Sequence, residues 1–162
     1  MAGILRSSGV VHVSVVQSFE YGPMVGDPDD HRPDSSWAVV FDPPREDGRY
    51  VGDIKCLFER MAPGDAIPLH THEIDEVVMV DGGRGLYRLD DDEIPIGAGG
   101  VAFVPAGTPH GLRNDGDGEL SLKAVFPSRT LDITYLERNP APGTEGEPVQ
   151  APMRFDPRVD PM

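Results

Sequence analysis

Apolar and polar residues alternate with a period of two in several short stretches, the pattern of half-buried strands. Val11, Val13 and Val15 alternate with His12 and Ser14, which predicts a first strand over residues 10–16. Trp37, Val39 and Phe41 mark a second short strand, stopped by Asp42-Pro43-Pro44. Residues 50–61 alternate again. Here the apolar set Ile54, Cys56 and Phe58 predicts the inward face and Asp53, Lys55 and Glu59 the outward one, which makes Cys56 a small buried hydrophobe. Further strands are predicted over residues 70–80, 86–89, 101–104, 110–113 and 119–126, the last with Leu120, Leu122, Ala124 and Phe126 on one face. Residues 133–138 fit a final strand or a single helical turn.

Turn chemistry separates these stretches. Gly64-Asp65, Asp81-Gly82-Gly83, the acidic run from Asp90 to Glu93, and Asn114-Asp115-Gly116-Asp117-Gly118 each read as a turn. Residues 18–36, rich in Gly, Pro and Asp, read as a long polar loop. Many short strands closely spaced predict an all-β sandwich or barrel of jelly-roll type with little helix. The chain holds 19 Gly and 17 Pro, which argues against long helices. The expected division is a barrel domain over residues 1–138, its first 36 residues forming the N-terminal strand and loop, followed by a Pro-rich tail over 139–162. That tail is expected to be disordered or laid over a neighbouring subunit.

The net charge of −14 repels phosphate backbones and anionic bilayers, so neither nucleic acid nor membrane is an expected partner. Cys56 is the single cysteine, which excludes an internal disulfide. No run approaches the roughly 20 apolar residues of a membrane span. Residues 1–17 lack the continuous apolar segment of a signal peptide, and the expected location is cytoplasmic.

Three of the five histidines fall in one constellation. His70 and His72 are two apart, so on a strand both imidazoles face the same way. Glu76 has the same parity and reaches the same face if the strand is unbroken. His110 follows the turn Pro105-Ala106-Gly107-Thr108-Pro109, where a neighbouring strand brings it alongside. Three imidazoles and a carboxylate suit one divalent first-row metal ion, with iron(II) expected first and manganese, zinc or nickel as alternatives. Four protein ligands leave two positions of an octahedral ion for a small-molecule substrate, water or oxygen.

These residues resemble the two motifs of the cupin superfamily. The first reads Gly64, His70, His72, Glu76 and Gly83, and the second Gly99, Pro105, Gly107, His110 and Asn114. All ten positions match, over residues 64–114, about a third of the chain. The resemblance implies a jelly-roll barrel of six to eight strands, with His70, His72, Glu76 and His110 as metal ligands. It implies turn roles for Gly83, Gly99, Gly107 and Asn114. By the same analogy the chain is expected to pair as a homodimer, with residues 10–16 a candidate for strand exchange.

Other candidates rest on parity alone. Arg60 shares the parity of Cys56 and Phe58 and is expected at the barrel mouth, where it would orient an anionic substrate. Tyr87 and Lys123 are candidate acids or bases, and Glu76 doubles as a candidate base. Met79 and Phe103 read as core or cavity lining. His12 and His31 read as ordinary polar residues. Three functions follow: an oxygenase of dioxygenase type, a metal-dependent isomerase, epimerase or lyase of a small sugar or keto acid, and a non-catalytic metal- or ligand-binding protein. A phosphosugar is disfavoured, because Lys and Arg do not cluster near the motifs.

Overall fold

The alternating stretches fold into two six-stranded antiparallel sheets, seen in a computed structural model that describes residues 2–6, 12–44, 48–50, 52–156 and 159. In chain order the strands are β1 (Ala2–Arg6), β2 (His12–Val16), β3 (Gly22–Met24), β4 (Arg32–Phe41), β5 (Lys55–Met61), β6 (Ala66–Thr71), β7 (Glu76–Gly82), β8 (Arg84–Leu89), β9 (Asp92–Gly97), β10 (Val101–Val104), β11 (His110–Arg113), β12 (Leu120–Phe126), β13 (Leu131–Tyr135) and β14 (Met153–Phe155). The described residues contain no helix. None of them forms a helix long and apolar enough to cross a membrane.

One sheet has the order β10-β7-β12-β5-β4-β3 and the other β14-β13-β6-β11-β8-β9, while β1 and β2 pair only with each other. The all-β jelly-roll expectation holds. The two inner faces meet in a core built on Met61, Val78, Val80, Leu112, Leu120, Leu122 and Phe126. Each fully buried side chain of this size removes roughly 1.5–3 kcal/mol of apolar exposure from water. On β12 the expected face is the buried one: Leu120, Leu122, Ala124 and Phe126 all point inward.

On β5 the expected faces are inverted. Lys55, Glu59 and Met61 are buried, Cys56 and Phe58 are half-buried on the outer side, and Ile54 is 59% exposed. The inversion is possible because the buried charges have partners. The Lys55 ammonium donates to the carbonyls of Ser128 at 2.9 Å and Thr130 at 2.6 Å. Glu59 accepts from Arg32. On the outer side Phe19 stacks against Phe58 at 4.5 Å between centroids, and the Arg60 guanidinium lies over the Tyr21 ring at 4.3 Å. Arg60 is therefore exposed and not at the barrel mouth.

Four other expectations change. Residues 18–36 are not one loop, since they contain β3 and the start of β4. The acidic turn is shorter than expected: Asp90 takes a left-handed φ of 51°, and Asp92 already begins β9. Residues 133–138 divide between β13, which closes at Tyr135, and a bend after it. The tail to residue 156 is ordered on its own barrel. Asn139 donates its backbone N–H to the Asp29 carbonyl at 2.7 Å, the Gln150 backbone N–H donates to the Asp29 carboxylate at 2.7 Å, and β14 pairs with β13. Of the predicted first strand, His12–Val16 is strand and residues 10 and 11 lie outside the described residues.

Candidate metal centre and cavity

Convergence of the four predicted ligands comes from the crossing between sheets, not from one unbroken strand. His70 sits on β6 and is the register partner of His110, the first residue of β11. The chain leaves β6 after Thr71, so His72 lies just beyond it. It then crosses to the opposite sheet, and Glu76 opens β7. The carboxylate therefore approaches the imidazoles from the facing sheet. All four side chains are buried, and one potential ligand atom from each lies within 4.8 Å of the others.

The turns that hold this geometry use the motif glycines. Gly107 has a φ of +79° and donates its N–H to the His72 carbonyl at 2.7 Å, which ties the loop before His110 to the segment after β6. Gly83 has a φ of +82°, and a Cβ there would lie 2.4 Å from the Glu119 carbonyl oxygen, so no other residue fits. Asn114 is a turn residue, as the motif implies. Its amide donates to the carbonyls of Met61 at 3.0 Å and Gly118 at 2.9 Å, and its side-chain oxygen accepts from Gly116.

Backbone carbonyls select the histidine tautomers. Nδ1 of His70 faces the Pro68 carbonyl at 2.8 Å, Nδ1 of His110 faces that of Thr108 at 2.9 Å, and Nδ1 of His72 faces that of Asp132. A carbonyl can only accept, so each Nδ1 carries the proton and each Nε2 is left with a lone pair. Metal-binding histidines are oriented in the same way, by a carbonyl that accepts from the ring nitrogen facing away from the ion. Asp132 also accepts the Glu73 N–H through its carboxylate, which fixes the crossing segment. Phe126 packs edge-on against His72 at 5.2 Å.

Charge within the cluster fits a cation. His110 Nε2 and Glu76 Oε2 are 2.7 Å apart, yet both are buried without a well-aligned hydrogen bond. Two lone-pair atoms that close need a proton or a metal ion between them. Burial pushes His70 well below its ordinary pKa, helped by the neighbouring His110 and His72. Burial also lowers His72, against the opposing pull of Glu76. For His110 the burial penalty is outweighed by the Glu76 carboxylate, and its pKa is raised. Two imidazoles held neutral beside a carboxylate are the donor set a divalent ion of the first transition row requires.

The cluster opens on a cavity of about 840 Å³. Its walls include Leu57, Val78, Leu122, Phe126, Leu131 and Ile133, and also Trp37, the one tryptophan of the chain. Tyr87, a predicted site residue, lines this cavity, is 4% exposed and leaves its hydroxyl without a hydrogen-bond partner. Burial and the charge of Glu76 push its phenol upward, so it is a hydrogen-bond donor at neutral pH. Arg60 and Lys123 do not line the cavity; Lys123 pairs with Asp81 at 3.0 Å on the outer side. Met79 also lies outside the cavity lining, and Phe103 is 76% exposed on an edge strand.

A charged group on the cavity wall escaped the sequence reading. Arg32 grips Asp30 with two parallel bonds, Nε to Oδ1 and Nη2 to Oδ2, both 2.6 Å, and Nη1 donates to Glu59. All three are buried and line the cavity. One guanidinium cannot fully compensate two buried carboxylates. Arg32 stays charged because its partners outweigh its burial, while burial raises both Asp30 and Glu59. The available signal was parity: Glu59 lies between Leu57 and Met61 in the period-two pattern, and both of those face the interior.

Comparison with known proteins agrees with this architecture. Residues 57–126 match the family model described as the cupin domain. The chain is similar to an oxalate-binding protein of Thermotoga maritima, 36% identical over 73 residues, which are 43% of this chain and 60% of that one. It is similar to a quercetin 2,3-dioxygenase of Bacillus subtilis, 37% identical over 68 residues, 41% of this chain and 20% of that one. Among solved structures it is similar to a sugar phosphate isomerase of Silicibacter pomeroyi, 25% identical with a TM-score of 0.59, covering 73% of this chain and 77% of that one. The chain thus spans 60% or less of the length of these two curated relatives. The family-model match, the fold and the complete pair of motifs together identify residues 57–126 as a cupin domain.

Proposed function

We propose that this protein is a mononuclear metal-dependent oxygenase acting on a small organic substrate. The observation that carries the reading is the convergence of three Nε2 lone pairs and the Glu76 carboxylate at the head of a largely apolar cavity. His70, His72, Glu76 and His110 would hold a divalent ion, iron(II) first among the candidates, which would supply Lewis acidity toward a chelating substrate and dioxygen. Glu76 would accept a proton from a substrate hydroxyl. The Tyr87 hydroxyl donates to a substrate oxygen. The apolar walls exclude water from the reacting centre. Similarity to a quercetin 2,3-dioxygenase supports this choice.

The test is anaerobic loading with iron(II), then oxygen-electrode measurements on a panel of enolic and phenolic compounds. Oxygen uptake that needs the metal is expected, with loss in Glu76→Gln. No uptake across the panel overturns the reading. A second reading, a non-redox isomerase using the same residues, has the similarity to a sugar phosphate isomerase in its favour and calls for turnover without oxygen on manganese or zinc.

A further inference from the structure

The cavity carries more information about its ligand than the metal cluster does. Its lining contains two cations, Arg32 and Arg154, against the four carboxylates of Asp27, Asp30, Glu59 and Glu76. Arg32 is consumed by Asp30 and Glu59. Arg154 has a side chain 68% exposed and faces Glu73 at 3.1 Å. A divalent ion at the cluster would bring this lining only to neutrality. No positive charge is then left for a phosphate or a second carboxylate, and such a group would face the buried carboxylates of the wall. The unspent polar group is a donor, the Tyr87 hydroxyl, buried and unpartnered beside the cluster.

We infer that the cavity selects an uncharged, apolar-bodied molecule that chelates through its own oxygens and offers one of them to Tyr87, and that the Asp30–Arg32–Glu59 group rejects phosphorylated and dicarboxylate compounds. This rests on the metal-centred reading above and assigns Tyr87 the role of specificity residue. Arg32, though a cation in a ligand cavity, is not an anion hook: its two carboxylates cancel it in advance.

Zinc-loaded protein allows binding to be read without turnover. The probes are 3-hydroxy-4-pyrone (one hydroxyl and one carbonyl on an apolar ring), oxalate and ribose 5-phosphate. Calorimetry gives the affinities, and Trp37 fluorescence reports that the ligand has entered the cavity. The pyrone is expected to bind the wild-type protein at least about tenfold more tightly than either anion, a factor worth a single favourable contact difference. Tyr87→Phe should weaken the pyrone about fivefold, the factor for one lost hydrogen bond, with zinc stoichiometry unchanged. Glu59→Gln frees part of the Arg32 charge and should strengthen both anions about tenfold. The inference is overturned if the wild-type protein prefers either anion, or if Tyr87→Phe holds the pyrone as tightly as the wild type does. Should Glu59→Gln not fold, the Tyr87 variant and the wild-type ranking decide. Pyrone binding to the zinc-loaded protein, with no oxygen uptake by the iron(II)-loaded protein across the whole panel, would sink the oxygenase and leave this inference standing, whereas oxygen uptake on a phosphorylated compound would do the reverse.

Discussion

Strands β5 and β12 lie side by side, paired residue for residue from Lys55–Phe126 to Met61–Leu120, yet they bury opposite kinds of side chain. The inner face of β12 is wholly apolar. The inner face of β5 carries Lys55 and Glu59 beside Leu57 and Met61. Alternation therefore predicts a face only where the buried set is apolar. Where a charge is buried with its own partner, the same rule points the wrong way, and the partner lies in another strand that the local pattern cannot see.

The largest effect should come from breaking the partner of β5. Arg32→Ala leaves Asp30 and Glu59 buried with no counter-charge and should cost about 3–5 kcal/mol in urea denaturation. Replacing all three with apolar residues of similar volume should recover most of that loss, because the desolvation cost disappears with the charges. If Arg32→Ala were neutral, the contrast between the two strands would carry no energetic meaning. Lys55→Met is milder. It strands two carbonyls, those of Ser128 and Thr130, and should cost about 1–3 kcal/mol.

The smallest effect is that of pH on the metal-free protein, because the histidines oppose one another. His70 and His72 have folded pKa values below the ordinary 6.5, so their contribution is present above pH 6.5 and is lost as the pH falls from 6.5 through their folded values. His110 is raised, so its contribution is present below 6.5 and is lost as the pH rises through its folded value. Thermal stability of the apo form should peak between those two arms. Saturating zinc should erase the alkaline arm, since a ligated His110 Nε2 holds no proton, and should steepen the acid one. Melting curves at a series of pH values, with and without zinc, would show both changes.

Legibility followed the source of each constraint. The His70, His72, Glu76 and His110 cluster was readable because its members are rare residues at fixed spacing, and β12 because its apolar positions alternate cleanly. Glu76 was readable as a ligand but not as a residue of the opposite sheet, since spacing does not reveal where a chain crosses over. β9 was missed because Asp92 and Glu93 are exposed strand residues whose composition looks like a turn. The start of β4 was missed because Pro33, Asp34, Ser35 and Ser36 look like a loop. Yet Ser35 is buried, with its hydroxyl bonded to the Asp65 carboxylate at 2.6 Å. The ordered tail was missed because its anchors, Asp29 and Arg138, are more than a hundred residues apart in the chain.

Two of the strands that line the cavity are the shortest among the described residues. β3 and β14 have three residues each and stand at the edges of the two sheets. An edge strand that short detaches by losing only a few backbone hydrogen bonds, at far less cost than parting the sheets. Fraying at those edges would therefore open the cavity while the sheets that carry His70, Glu76 and His110 stay paired.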